Sequence, residues 1–263
     1  MNYLATKNSF FELWSRRQSF FLGRLANLVF FLLLLFAWRV LISQSSLFMD
    51  YSEAEITTYF AGLYLLRSFL FGAKSWQLAF DIMGGKLLQS RAEQADIFGY
   101  YFFPELGQRL LNFFSAVIEL LILSLVFQLE FIPLPGIGIL AACFLSVVMA
   151  LFLFYILSNV INMLAFWLKN IRWLRFGFKR VLEVMAGAYF PLDLLSKHLF
   201  YLSAHFPFFY LFYFPVSIYL GKMQGTYLLG GLVWQVIWIV AVFALGSFVW
   251  ESGVKRYGSA QDY

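Results

Sequence analysis

Charge is scarce in this chain. Asp, Glu, Lys and Arg make up 13% of its 263 residues, half the share of about 25% usual in soluble domains. Too few polar groups remain to cover a water-facing surface, which excludes a soluble globule. Cysteine is scarcer still. Cys143 stands alone, so neither an intrachain disulfide nor a cysteine-based metal site can form. The sequence has no Gly-x-Ser-x-Gly, no His-Glu-x-x-His and no paired acidic motif on an apolar run, which removes the common hydrolase signatures. Gly72-Ala73-Lys74-Ser75 resembles the end of a phosphate loop, but the earlier glycine is missing, so it is a decoy.

What the chain has in abundance is apolar surface. Hydrophobic residues reach 62%, with 34 Phe, against roughly 45–50% in soluble proteins. Such a chain is an integral membrane protein of the all-α class, its exterior facing lipid. The net charge of +5 does not indicate nucleic acid. It comes from short basic loops, and their sidedness is the informative part.

Residues 1–20 predict an interfacial helix, with Leu4, Phe11 and Trp14 on one face and Lys7, Arg16 and Arg17 towards headgroups. The first apolar run is too long for a signal-peptide core and reads as an uncleaved span at 22–42. Further spans are expected at 56–73, 107–127, 137–168, 172–190 and 227–250, within a single transmembrane domain over 1–263. Between 192 and 220, Pro207 and Pro215 break an apolar stretch. It reads as short re-entrant helices dipping in from the outer face.

Charge sidedness selects this topology. With one crossing at 137–168, the inner side collects every Lys and Arg except Arg39, Arg67, Lys197 and Lys222. The outer side receives Asp50, Glu53, Glu55, Glu130 and Asp193. Two crossings there would put the basic run Lys169–Arg180 outside, against the positive-inside rule. Both termini are therefore expected in the cytoplasm, in a bacterial-type plasma (inner) membrane.

Three groups of residues stand out. Arg67 and Glu119 lie within spans, where an unpaired charge costs at least a few kcal/mol. At about 1.5 Å per residue their depths nearly match, which predicts an ion pair. A structural bridge between helices is the preferred reading over a place in a transport path. His198 and His205 with Asp193 form a conceivable metal or catalytic set at the outer face, and hydrogen-bonded interface histidines are the simpler reading. No metal site is assigned. The polar stretch from Lys74 to Glu105, with its Gly84-Gly85-Lys86-Leu87 turn, is long for a connection between neighbouring helices. A docked partner would explain it.

Asp81-Ile82-Met83-Gly84-Gly85-Lys86-Leu87, with Phe98-Gly99-Tyr100-Tyr101 and Leu106-Gly107 following, resembles the first cytoplasmic loop of ABC-2 type permeases. Met185-Ala186-Gly187, Phe190-Pro191-Leu192, Pro207-Phe208 and Pro215 are similar to that family's glycine–proline turn and outer re-entrant helices. Trp250, Gly253, Lys255, Arg256 and Tyr257 are similar to its C-terminal ending, although Gln261 and Asp262 replace the closing glycines. The likeness covers essentially the whole chain, closest to the short permeases that work as paired half-transporters.

The resemblance implies a non-catalytic permease subunit of an ATP-driven exporter. Its partners would be an ABC ATPase, a second permease chain (copy or paralogue) and membrane lipid, with no nucleic acid. No cofactor is expected in this chain, since ATP and Mg would be bound by the ATPase. The coupling loop would comprise Gly84, Gly85, Lys86, Leu87, Leu88 and Arg91, and the re-entrant turn Gly187, Pro191, Pro207 and Pro215. The competing expectations are an intramembrane lipid-modifying enzyme and an ATP-independent channel or secondary transporter. The first lacks a complete catalytic set. The second sits poorly with helix breaks near the outer face rather than the midplane.

Overall fold

The computed structural model describes residues 2–44, 51–71, 76–85 and 97–259. Among them the chain is helical throughout, without strands. Nine α-helices are described, in order: α1 Asn2–Gln44, α2 Glu53–Leu70, α3 Gln77–Met83, α4 Ile97–Phe127, α5 Ile137–Met163, α6 Arg172–Met185, α7 Lys197–Ala204, α8 Tyr213–Tyr219 and α9 Gly225–Ser259. Among the described residues, four helical stretches are long and apolar enough to cross a membrane: Phe20–Ile42, Leu106–Phe127, Ile137–Phe166 and Gly225–Arg256. They match the expected first, third, fourth and sixth spans. The chain is a multi-pass, all-α membrane protein.

The expected interfacial helix is not separate. α1 runs unbroken for 43 residues, about 65 Å, because no proline and only one glycine interrupt its sequence. The side chains of Leu4, Phe11 and Trp14 lie outside the described residues.

α2 is the centre of the bundle and falls outside the four apolar stretches. Ser52 caps it through a capping box with Glu55. Ile56, Tyr59, Phe60, Leu63 and Leu70 are almost completely buried. A helix wrapped by other helices need not be apolar all round, which is how α2 carries Arg67 and still sits inside. α6 is 14 residues long and strongly amphipathic, shorter than the expected fifth span over 172–190.

Between 192 and 220 the expected break is present, as 3-10 turns at Leu192–Leu194 and Pro207–Tyr210 with the short helices α7 and α8. Leu211, Phe212, Tyr213, Phe214 and Ile218 are at most 1% exposed. Protein buries this irregular backbone, as the apolar interior requires. Pro207 occupies the first position of its turn, and Pro215 the first turn of α8. At both sites an amide N–H would lack an intrahelical acceptor anyway.

Candidate functional site

Two charge clusters cross the bundle, and neither pairs Arg67 with Glu119. Arg24 reaches Glu119 with Nε at 2.9 Å from Oε1, and a second, closer contact joins its Nη2 to Oε2. The same guanidinium donates to Ser68 Oγ and Tyr64 Oη, both at 2.9 Å. This cluster ties α1, α2 and α4 together. Arg67 instead meets Glu183 of α6 at 2.8 Å. Helix rotation is the cause. Tyr64 and Ser68 are four apart on α2 and share a face, whereas Arg67 is rotated by about 100° from Ser68. The unbroken α1 then brings Arg24 alongside Ser68.

Glu183 has no exposed side-chain surface. It accepts hydrogen bonds from Arg180 Nη1 and Tyr189 Oη, each at 2.9 Å, besides its contact with Arg67. The Arg67 guanidinium also lies 4.8 Å over the Phe30 ring. Sequence reasoning passed over Glu183 because it lies in a basic helix whose other charges define sidedness. The available signal was its position three residues after Arg180, a spacing that places both on one face.

These contacts belong to a longer ladder. Arg175 stacks 3.7 Å over Trp76, and Lys179 lies 4.4 Å over Phe71. Arg67–Glu183 follows. Tyr59 Oη donates to the Gly187 carbonyl at 2.7 Å, and Tyr51 Oη donates to both Asp193 carboxylate oxygens at 2.8 Å. Rising numbers on one strand of the ladder meet falling numbers on the other. Residues 175–193 therefore run antiparallel to residues 51–71 and on to Trp76, linked by long side chains along the whole of α2.

Gly187 makes the turn that allows this. At φ +78° it closes α6 with Ala188 N bonded to Glu183 O at 2.9 Å and Gly187 N to Val184 O at 3.2 Å, a Schellman arrangement. A Cβ here would stand 2.9 Å from Tyr59 Oη. Pro191 precedes the following 3-10 turn, and Tyr213 N bonds to Ala186 O at 3.1 Å, fastening α8 to the end of α6. The structure thus brings Gly187, Pro191 and the Pro207–Pro215 segment into one region. At its outer edge Lys222 lies 3.2 Å from Asp193 and 3.0 Å over the Tyr51 ring. Burial, with the Asp193 carboxylate beside it, holds the Tyr51 phenol well above its usual pKa, so it stays a donor.

The histidines do not assemble with Asp193 into a catalytic set. His198 is exposed. His205 Nδ1 is 2.7 Å from the Tyr201 carbonyl of its own helix, and its ring meets Trp234 edge-on. Asp193 is held by Tyr51 and Lys222. Among the described residues, no three His, Cys, Asp or Glu side chains converge.

Of the expected coupling loop, Gly84 and Gly85 are described, and Lys86, Leu87, Leu88 and Arg91 lie outside the described residues. Gly85 has φ +73°, and Gly84 N bonds to Phe80 O at 2.8 Å. The glycine pair therefore ends a short helix, α3. Leu78, Ala79 and Ile82 of α3 pack with Met163, Ala165 and Ile171 in a small core separate from the main one. Tyr101 Oη donates to Asp81 at 2.8 Å, tying α3 to α4. Phe80 and Met83 remain exposed.

A further buried polar contact was not foreseen. Gln235, within the apolar α9, donates to Ser146 O at 2.9 Å and Tyr210 O at 3.1 Å and accepts from Ser146 Oγ at 3.0 Å. It pins α9 to α5 and the broken segment.

The family model described as ABC-2 family transporter protein matches residues 28–261. No curated protein matches the chain.

Proposed function

The chain belongs to the ABC-2 transporter family, and from that membership we propose that it is the membrane subunit of an ATP-driven exporter. Two permease chains, identical or related, form the path. Separate ABC ATPase subunits bind ATP and Mg and supply the energy. In this reading the chain itself carries no catalytic residue.

The observation that carries the proposal is the family match over 28–261 on a chain with four apolar, membrane-length helices. Six crossings follow if α2 and the 172–193 segment also traverse. The ladder from Arg175–Trp76 to Asp193–Tyr51 supports this, because it extends over the full length of α2. The basic start of α6 then lies on the inner side with α3 and the Gly84–Gly85 turn. That surface is suited to an ATPase: exposed Phe80 and Met83 on α3, followed in sequence by Lys86, Leu87, Leu88 and Arg91. Apolar anchors with a charged rim are the usual composition of such an interface.

Affinity purification from native membranes tests the reading. An ABC ATPase is expected to co-purify, and substrate movement in proteoliposomes is expected to require ATP. Recovery without any ATPase, together with transport indifferent to ATP, would sink it.

A further inference from the structure

α4 and α5 follow one another in the chain, joined by residues 128–136, and consecutive elements usually pack together. Here they stand apart. α4 packs on α2, and α5 packs on α2, α8 and α9, while α4 and α5 hardly approach each other. The gap is a cavity of about 430 Å³. Ala61, Gly62 and Leu66 of α2 with Val216 of α8 form its floor, and Leu120 of α4 and Val147 of α5 stand on its two sides.

The lining is apolar. Among its described residues there is no Asp, Glu, Lys, Arg or His. Thr58 Oγ1 donates to Ala54 O at 2.7 Å and accepts from Ile132 N at 3.0 Å, and Cys143 Sγ donates to Pro215 O at 3.4 Å. Of the lining side chains, at most the Tyr219 hydroxyl is left for water, which needs about two to four polar partners to stay in a cavity. Left empty, the gap would deprive its walls of dispersion contacts that a filled one supplies.

The cavity is continuous with the lipid-facing surface. Phe144, in its wall, is 71% exposed, and Leu121, Leu125 and Leu145 on the two flanking helices are exposed as well. Leu120, also in the wall, is 8% exposed, so the opening leads from the surface to the interior. Both flanking helices are membrane-length apolar stretches, and what meets the opening is therefore hydrocarbon. From Leu140 to Val147 the wall runs about 10 Å along α5, the direction in which acyl chains lie in a bilayer.

We propose that this cavity holds an acyl chain of a membrane lipid, packed between α4 and α5, with its head group left among the surrounding lipids. Chain and wall are both apolar, so the gain on entry is dispersion contact, and fit decides which chains stay. The chain also backs the turn of α4 that carries Glu119, the neighbour of Leu120. The site needs only a membrane around the protein and does not rest on the permease reading.

The test uses the full chain alone in phosphatidylcholine nanodiscs, with a trace of phosphatidylcholine carrying a diazirine midway along one acyl chain. Irradiation and peptide mapping should find lipid adducts on Leu66 and Leu120, inside the cavity, besides those on lipid-facing Leu125. Val147→Trp fills the space. It should lower the adducts on Leu66 and Leu120 at least about tenfold and leave those on Leu125 within about twofold. Thermal unfolding checks that the variant keeps its fold, and the adduct map of the unmodified chain stands without it.

Adducts confined to lipid-facing positions, or unchanged adducts on Leu66 and Leu120 in Val147→Trp, would overturn the site. So would cavity adducts that occur in monomers and vanish in dimers, because a second copy of the chain would then be what fills the gap. Neither ATP nor an ATPase is present, so a failure here is distinct from a failure of the permease reading.

Discussion

A carboxylate with no exposed surface survives in a membrane protein only if its partners replace water completely. Glu183 comes close to that condition: Oε2 accepts from Arg180 and Tyr189, and Oε1, which accepts no hydrogen bond, lies 2.8 Å from the Arg67 guanidinium. Removing one side of such a contact leaves the other charge buried and uncompensated, at about 3–5 kcal/mol. Glu183→Gln should therefore lower thermal stability in detergent markedly, whereas the combined change Arg67→Met with Glu183→Leu should recover most of the loss. A Glu183→Gln chain as stable as the original would show that the contact is idle. Gly187 is the second sensitive position. Gly187→Ala pays for a left-handed backbone, about 1–2 kcal/mol, and pushes a Cβ against Tyr59 Oη. It should destabilise the chain by at least that much in the same assay, and an unshifted unfolding midpoint would contradict the turn described here.

At the scale of elements, α2 and α6 show why amphipathic character and membrane position are separate questions. α6 turns basic side chains towards Trp76 and Phe71. Buried α2 supplies the opposing groups. The short α3 ends at Gly84–Gly85, and beyond it Leu87 is expected to enter an ATPase cleft. Leu87→Asp should leave the permease inserted and as stable as before, since the residue is expected outside the bilayer. A carboxylate forced into an apolar interface costs several kcal/mol, so ATPase recovery should fall by at least about tenfold and transport with it. Unaltered recovery and full transport would put the coupling contact elsewhere.

At the scale of the whole molecule, six crossings make a firm topological demand. Lys169 just precedes α6, and Ser196 lies beyond its turn, and both are exposed. In a Cys143→Ser background, a membrane-impermeant maleimide should label Ser196→Cys in intact cells and Lys169→Cys only after lysis. Labelling of both from the same side would mean that 172–193 does not traverse, and the ladder along α2 would need another explanation. The same experiment separates export-type topology from a four-crossing arrangement built from the apolar helices alone.

The sequence by itself determined the class of protein and the four stretches long and apolar enough to cross a membrane. Scarce charge and long apolar runs leave lipid as the only adequate solvent, and helices as the only way to satisfy the backbone there. Four spans could be read within a few residues for that reason, and so could the proline-broken stretch, because proline and positive-φ glycine act locally. The partners of the charged residues were decided only by tertiary structure. Depth along a helix can be counted from sequence, but the rotation of one helix against its neighbours is set by packing of the assembled bundle. Arg67 and Glu119 matched in depth and still found different partners, in Glu183 and Arg24. Gln235 and Glu183 were hidden for the same reason: a polar residue in an apolar or basic run has a meaning only once the groups facing it are known.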